Sequence, residues 1–120
     1  MEEPSRPVVV SVVPTFNEEK WISRCLDSLL KQTYPTDSHR IHIIDGGSTD
    51  STLDVVRMRI EKGVENEVSI FENPHRFVPQ ARNISLESMK DDVELVFEVN
   101  AHGWVPENHL EKRVDDLLDI

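Results

Sequence analysis

Hydrophobic residues occur as short continuous runs that alternate with longer segments of helical periodicity. A β-branched run such as VVVSVV at 8–13 is typical of a strand that is covered on both faces. Apolar residues three and four positions apart, as between Trp21 and Leu30, are typical of an amphipathic helix. The pattern predicts strands at 8–13, 41–45, 68–72 and 93–99, each followed by a helix.

Polar residues indicate where the helices begin and apolar residues which face is buried. Asn17 is a suitable N-cap for the first helix, with Glu18 in its first turn. Ser48 or Asp50 can cap the second helix after a glycine turn. The residues expected to face the core are Trp21, Ile22, Cys25, Leu26, Leu29 and Leu30, then Leu53, Val56 and Ile60, then Ala81, Ile84 and Met89, and in the last helix Leu110, Val114, Leu117 and Leu118.

The alternation of strands and helices determines the expected fold class. Strands joined by helices form a mainly parallel sheet flanked by helices, so we expect an α/β domain of Rossmann-like build. At 120 residues the chain has the length of a single domain, 1–120. Ligands of such sheets bind beyond the carboxyl ends of the strands, near the point where the strand order reverses.

Charge and composition exclude several functions. The net charge of -10 argues against binding to nucleic acid or to an anionic membrane surface. No apolar run approaches the ~20 residues that span a bilayer, so we expect no membrane segment in this chain. The single Cys25 and the lack of a secretory leader indicate a cytoplasmic protein, which can still act beside a membrane.

Three residues at the predicted strand ends can bind a nucleoside. Asp45 can accept a hydrogen bond from a base N–H, although its carboxylate can equally cap its own turn through the amides of residues 48 and 49. Phe16 can stack on a base or pack onto the next helix as a hydrophobic staple. Glu18 can bond a ribose hydroxyl, but an acid is expected in the first turn of any helix.

Other polar residues can bind phosphate or metal. Arg76 and Arg82 flank the third connection and suit a diphosphate, or they are solvated cations on an acidic surface. Asn83 matters only if its helix faces the cleft. His102 can bind a divalent cation, although a lone loop histidine is more often polar surface. A glycine-rich dinucleotide or Walker-type phosphate loop is absent from the sequence, so a nucleotide must be held in another way.

Four segments taken together resemble the family-two glycosyltransferases, inverting enzymes with the GT-A fold. They are VSVVPTFNEEKWISRCLDSLLKQTYP, IIDGGSTDSTLDVV, ENPHRFVPQARNISL and FEVNAHGWVPENHLEK, and they cover nearly the whole chain. The resemblance implies binding of a nucleotide-diphosphate sugar, with uridine or guanosine diphosphate as the usual carrier, and hexosyl transfer to an unknown acceptor.

The resemblance also assigns expected roles to individual positions. It implies that Pro14, Phe16, Glu18 and Asp45 hold the nucleoside, and that Asp50 lies near the nucleotide or supports its loop. Arg82 and Asn83 match a helix start that borders the cleft. Asn100, Ala101 and His102 match the Asp-x-Asp metal motif in an Asp-Ala-His version with the first acid replaced.

The altered metal motif predicts weak metal binding. In the family this motif holds Mn²⁺ or Mg²⁺ against the two phosphates. Neither Asn100 nor neutral His102 supplies a negative charge, and one charge at ~4 Å with an effective dielectric constant near 20 is worth about 4 kcal/mol. We therefore expect a weakened Mn²⁺ or Mg²⁺ site at His102, with Glu98 as a possible substitute acid.

The chain length predicts an incomplete enzyme. The sequence ends in the helix after the metal motif, whereas the family continues into an acceptor-binding half that supplies the catalytic base. We therefore expect a truncated chain that is weakly active alone and that forms a homodimer or binds a partner chain through its open edge. The alternatives are a noncatalytic interaction or regulatory module, or a gene fragment, on a degenerate glycosyltransferase scaffold.

Overall fold

Four parallel strands form one sheet in the order β3-β2-β1-β4. The computed structural model describes residues 6–74, 78–89 and 91–118, and within α3 it leaves the side chains of residues 78, 79 and 82 undescribed. The strands are β1 Val8–Thr15, β2 His39–Asp45, β3 Glu67–Glu72 and β4 Val93–Glu98. β2 pairs with one side of β1 and β3 pairs with the outer side of β2, whereas β4 pairs with the other side of β1. The strand order therefore reverses between β1 and β4.

Helices cover both faces of the sheet. They are α1 Ile22–Leu30, α2 Thr52–Glu61, α3 Val78–Ser88 and α4 His109–Leu118, with a short 3₁₀ helix at Thr36–Ser38. Side chains of β1 alternate between the faces, so Val9 and Val13 pack with α1, α2 and α4 while Val10 and Val12 pack with α3. This arrangement confirms the α/β class and the Rossmann-like sheet flanked by helices.

A buried polar cluster lies at the start of β2. His39 Nε2 is 2.8 Å from Ser11 Oγ, and the Asn66 side-chain amide donates to the carbonyl of His39 at 2.9 Å. Burial lowers the pKa of His39 to about 4, because charging an imidazole without water is costly. His39 is therefore neutral in the folded protein near pH 7 and works as a structural hydrogen-bonding group.

The first helix begins later than its sequence predicts. The expected N-cap, Asn17, has a φ of 52°, and α1 begins only at Ile22. Residues 18–21 form a preceding turn in which the amides of Trp21 and Ile22 donate to the carbonyl of Glu18. The N-cap prediction is wrong because the Asn17 side chain bonds a neighbouring loop instead of the helix.

Three residues expected in the core are exposed. Trp21 is 44% exposed, Leu117 43% and Leu118 60%. α4 is buried through Leu110 and Val114, which pack on Val9 and Phe97. The last turn of α4 extends beyond these packing partners. The periodicity of the sequence therefore predicts a longer buried face than the structure has.

Candidate functional site

The ends of β1, β2 and β4 meet at one edge of the sheet. Thr15 is level with Asp45 in the register of the two strands, and the Val99 amide extends the β4 pairing by donating to the carbonyl of Val12 at 2.8 Å. A cavity of about 330 Å³ lies at this edge, bordered by Pro14, Glu98, Val99 and Asn100. Pro14 and Asn100, predicted for two different roles, therefore border the same cavity.

Asp45 organises the turn that follows β2. Its Oδ2 accepts hydrogen bonds from the amides of Gly47 at 3.0 Å and Ser48 at 2.9 Å, and its Oδ1 accepts one from the Ser48 hydroxyl at 2.6 Å. The turn-capping alternative is therefore present, with the amides of residues 47 and 48 as donors. Each carboxylate oxygen can accept about two hydrogen bonds, so Oδ1 keeps one position for a further donor.

Asn17 joins the loop after β1 to the loop after β2. Its side-chain Oδ1 accepts hydrogen bonds from the backbone amides of Thr49 at 2.8 Å and Asp50 at 3.3 Å. The backbone amide of Asn17 donates to Ser48 Oγ at 2.9 Å. Asparagine tolerates the left-handed backbone that this geometry requires. Asn17 is a site residue that the sequence indicated only as a helix cap.

Asp50 adds to the same bracing. Its Oδ1 accepts from the Thr52 amide at 3.0 Å and its Oδ2 from the Glu19 amide at 3.3 Å. Desolvation raises the pKa of Asp50, but hydrogen bonds from Thr52 and Glu19 outweigh it and bring that pKa below its ordinary value. The geometry suits a residue that supports the loop, one of the two roles expected for Asp50.

Glu18 connects the β1 loop to the β4 end. Its carboxylate Oε2 faces His102 Nδ1, and this oxygen is buried and forms no hydrogen bond with the described residues. The Glu18 side chain is 12% exposed and that of His102 is 63% exposed. Because Nδ1 lies against Glu18, Nε2 is the ring nitrogen left for another partner.

Asn100 shapes the turn that presents His102. Its Oδ1 accepts a hydrogen bond from the His102 amide at 2.9 Å, and its backbone carbonyl accepts one from Gly103 at 2.9 Å. Arg24 Nη2 donates to the carbonyl of His102 at 3.0 Å. In the Asn-x-His sequence at the end of β4, the Asn100 side chain fixes the turn and the His102 side chain points outward. Ala101 between them is buried in the core.

The described residues provide few metal ligands. No group of three His, Cys, Asp or Glu side chains within 6–74, 78–89 and 91–118 is arranged to hold a metal ion. The donor set at this edge is His102 Nε2 with the Glu18 carboxylate behind its ring, while the Asn100 oxygen already accepts one hydrogen bond from the turn. This set fits a divalent ion only if the ligand's own oxygens complete the coordination.

The residues expected on the third connection lie apart from this edge or outside the description. Asn83 is exposed and borders another cavity, of about 400 Å³, with Glu72 and Pro74 at the end of β3. Arg82 lies in α3, but its side chain is outside the described residues, as is all of Arg76. Phe16 is half-buried beyond β1. The cavity beside Asn83 is therefore separate from that of Pro14 and Asn100.

Cys25 lies in the core behind the site, as predicted. It is buried in α1, and its Sγ is 3.6 Å from the carbonyl oxygen of Asn100. Burial raises the pKa of the Cys25 thiol to about 11, with a further contribution from the nearby Glu18. A thiol with such a pKa is not a nucleophile near neutral pH.

A protein-family model matches most of the chain. The model described as "Glycosyl transferase family 2" covers residues 11–119. The chain belongs to this family. The chain is also similar to a protein of Methanococcus voltae, the dolichyl N-acetyl-alpha-D-glucosaminyl phosphate 3-beta-D-2,3-diacetamido-2,3-dideoxy-beta-D-glucuronosyltransferase, with 34% identity over 91% of this chain and 33% of the relative. This chain spans about a third of such relatives.

Solved glycosyltransferase structures have the same fold. The mannosyltransferase PcManGT from Pyrobaculum calidifontis, in complex with GDP-Man and Mn²⁺, superimposes with a TM-score of 0.78 at 31% identity, covering 85% of this chain and 29% of that one. S. aureus TarS 1–349 in complex with UDP superimposes with a TM-score of 0.80 at 24% identity, covering 92% of this chain and 32% of that one. The GT-A character expected from the sequence is thus confirmed.

The helices give no indication of a membrane segment. Among the residues that the structure describes, none of the helices is long and apolar enough to cross a bilayer. The expected cytoplasmic location stays a prediction.

Proposed function

We propose that this chain binds a nucleotide-diphosphate sugar at the carboxyl ends of β1, β2 and β4, as the donor-binding part of an inverting glycosyltransferase. The observation that carries the proposal is the contact between Glu18 and His102. It joins the nucleoside loop to the metal motif at the point where the strand order reverses, which is where ligands of such sheets bind. The UDP and GDP-Man of the two superimposed structures support a nucleotide-linked donor.

The nucleoside end of the proposed site is built from the β1 and β2 loops. The free acceptor position on Asp45 Oδ1 receives a base N–H, and Phe16 and Pro14 supply apolar surface for the base. Asp50 and Asn17 hold the two loops together. The expected roles of Arg82 and Asn83 beside the cleft stay predictions. The domain assignment, 1–120, belongs to this same proposal.

The phosphate end of the proposed site is built around His102. Nε2 is the nitrogen available to Mn²⁺ or Mg²⁺, since Nδ1 faces Glu18. A bound ion would neutralise the departing nucleoside diphosphate. Glu18 supplies a negative charge that Asn100 lacks and orients the imidazole, as carboxylates behind metal-binding histidines do. Metal affinity is weak because Asn100 is neutral.

Calorimetric titration with UDP and GDP, with and without Mn²⁺, tests the proposal. We expect binding by the wild type that strengthens with Mn²⁺. Asn100→Asp should keep the turn, since aspartate accepts the same hydrogen bond from the His102 amide, and should gain about tenfold or more in Mn²⁺-dependent affinity. Asn108→Asp, on an exposed residue just before α4, adds the same charge elsewhere and is the control.

The absence of binding would favour the second candidate, a noncatalytic module on a family-two scaffold. That candidate is supported by Asn100, whose side-chain oxygen serves the turn and not a ligand. If neither the wild type nor Asn100→Asp binds a nucleotide, the donor site is refuted and the scaffold hypothesis remains. If Asn108→Asp gains as much as Asn100→Asp, the motif assignment fails.

The transfer step needs residues that this proposal does not assign. The chain spans about a third of the length of its relatives, and no residue is nominated as the catalytic base. We therefore expect the isolated chain to bind donor and to transfer sugar poorly. Transfer to a saccharide acceptor by the chain alone, followed with a radiolabelled donor, would refute this part.

Association through the sheet edges completes the proposal. In the part of the sheet that the structure describes, the outer edges of β3 and β4 have no paired strand, and such edges favour association. We expect a homodimer or a complex with a partner chain. Sedimentation that shows only monomer at high protein concentration would argue against the homodimer.

A further inference from the structure

A third cavity, of about 580 Å³, lies between α1 and the loop that follows the metal motif. One wall is the face of α1 opposite the core, with Lys20 just before the helix and Lys31 just after it. The other wall is the loop at 104–107, which includes Trp104 and Glu107. We call this cavity the α1 groove. It is distinct from the cavity of Pro14 and Asn100.

The two walls of the α1 groove are fixed to each other. The Val105 amide donates to Ser28 Oγ at 3.2 Å. Gln32 Nε2 donates to the carbonyl of Pro106 at 2.7 Å, and the Thr33 amide donates to the carbonyl of Glu107 at 2.8 Å. A groove whose walls are already joined needs little ordering when a ligand binds.

The α1 groove has an excess of positive charge in an acidic chain. Its cations are Lys20, Arg24 and Lys31, and its acids are Asp27 and Glu107. Asp27 is already paired with Arg59, at 2.9 Å between Oδ1 and Nε. No carboxylate of the described residues forms an ion pair with any of the three lining cations. An anionic ligand would supply the missing partner.

Exposed tryptophans give the α1 groove a second binding element. Trp104 lines it and is 58% exposed. Trp21 is 44% exposed and lies against Arg24, with 5.2 Å from the guanidinium carbon to the ring centre. The flat face of an indole packs against the C–H face of a sugar ring, while hydroxyl groups bond to nearby acids such as Glu107.

We propose that the α1 groove binds a phosphorylated saccharide, with the phosphate at Lys20, Arg24 and Lys31 and the sugar ring on Trp104. Arg24 also donates to the carbonyl of His102, so the groove begins beside the proposed donor site. The saccharide is therefore the acceptor or a part of it. The acceptor role rests on the proposed donor site, whereas binding in the groove does not.

Fluorescence of Trp104 tests the binding directly. The chain has two tryptophans, so Trp21→Phe leaves Trp104 as the only indole. Titration with glucose 1-phosphate should give a saturable change in emission at millimolar concentration. Glucose and inorganic phosphate, each alone, should bind about tenfold more weakly, because each makes only part of the contacts.

Two double variants in the Trp21→Phe background test the charge contribution. Lys20→Gln with Lys31→Gln should weaken glucose 1-phosphate binding by about tenfold or more, since two charge-assisted contacts are lost. Lys62→Gln with Lys112→Gln removes the same charge from exposed residues outside the groove and should leave binding unchanged. Equal losses in both doubles, or no saturable signal in the parent, would overturn the proposal.

Titration with UDP separates the groove from the donor site. Displacement of glucose 1-phosphate by UDP would place the sugar phosphate in the donor site and overturn the proposal. Nucleotide binding without sugar-phosphate binding would overturn the groove and leave the proposed function standing. Sugar-phosphate binding without any nucleotide binding would support the groove as a site and refute its acceptor role together with the donor site.

Discussion

The β1 and β2 ends of the sheet differ from the β4 end in how their polar groups are held. At β1 and β2, Asp45 and Asn17 each accept hydrogen bonds from the neighbouring turn, and Asp45 is only 4% exposed. At β4, Asn100 fixes a single turn and His102 projects outward with 63% of its side chain exposed. The first region is braced by several hydrogen bonds, and the second presents one imidazole.

This difference separates folding from ligand binding. Changes at Asp45 or Asn17 remove hydrogen bonds that the folded chain itself needs, so they should reduce stability as well as any nucleotide affinity. Changes at Glu18 or His102 touch few other groups and should alter affinity alone. The proposed nucleoside end is therefore tied to the fold, whereas the proposed metal end should tolerate substitution without unfolding of the protein.

Asp45→Ala should produce the largest effect. It removes the acceptor of three hydrogen bonds and leaves two turn amides without a partner, so we expect the free energy of unfolding to fall by about 4 kcal/mol. Urea denaturation measures this. Asp54→Ala, on an exposed residue of α2, should change stability by less than about 0.5 kcal/mol. Similar losses in both variants would contradict the braced-turn interpretation.

The pH dependence of folding should come from the sheet interior, not from the strand ends. Burial holds the pKa of His39 at about 4 in the folded state, against an ordinary value of 6.5. Between these values the unfolded chain binds more protons, so the free energy of unfolding falls as pH falls, by about 3 kcal/mol in total.

Denaturation of His39→Gln across pH 4 to 7 tests this contribution. Between the two pKa values, the free energy of unfolding should depend less steeply on pH in the variant than in the wild type. A slope that is the same in the wild type and His39→Gln would show that another group dominates.

Asn17→Ala should have a smaller effect on stability than Asp45→Ala. Alanine loses the hydrogen bonds to the loop after β2 and is strained at a φ of 52°, which together cost about 2 kcal/mol. Asn17→Gly loses the same bonds without the strain and should cost about half as much. Thermal or urea unfolding of the pair measures both contributions, and equal costs would exclude a role for the backbone conformation.

Glu18→Gln should have the smallest energetic effect and should act on affinity only. We expect Mn²⁺-dependent UDP or GDP affinity to fall about tenfold, because the amide neither charges the site nor fixes the imidazole proton on Nδ1 as a carboxylate does. Affinity without metal and the free energy of unfolding should change little. Glu19→Gln, at the exposed neighbouring acid, is the matched control.

Nitrogen chemical shifts of the His102 ring provide a second measurement for Glu18. Labelled wild-type protein should show the proton on Nδ1, and Glu18→Gln should show a mixture of the two neutral tautomers. If the tautomer and the metal dependence are the same in Glu18→Gln as in the wild type, Glu18 does not position His102.

The sequence predicted the sheet well because its signals are local. Continuous β-branched runs gave the four strands, with His39 and Glu67 as the main extensions at the starts of β2 and β3. The helices were recognised from periodicity, which depends on neighbours three and four positions away. Leu117 and Leu118 were misassigned because periodicity cannot show where the cover of a helix ends.

The site was harder to predict because its contacts join distant parts of the chain. Asparagine is favoured both at N-caps and in left-handed turns, so residue type alone could not decide the role of Asn17. The contact between Glu18 and His102 links residues on two different strand ends, and their spacing in sequence carries no signal for it. Ala101 matched a motif position, but its burial beside α1 follows from packing alone.

Gln32 has a consequence for the order in which the molecule assembles. This buried side chain accepts a hydrogen bond from the Leu110 amide at 2.9 Å and donates to the carbonyl of Pro106 at 2.7 Å, across sequence separations of 78 and 74 residues. Such contacts form late, because a long loop must first close. During synthesis on the ribosome, the loop wall of the α1 groove cannot be complete until Leu110 has left the exit tunnel. A nascent chain that already contains β1, β2 and β3 therefore has no complete α1 groove.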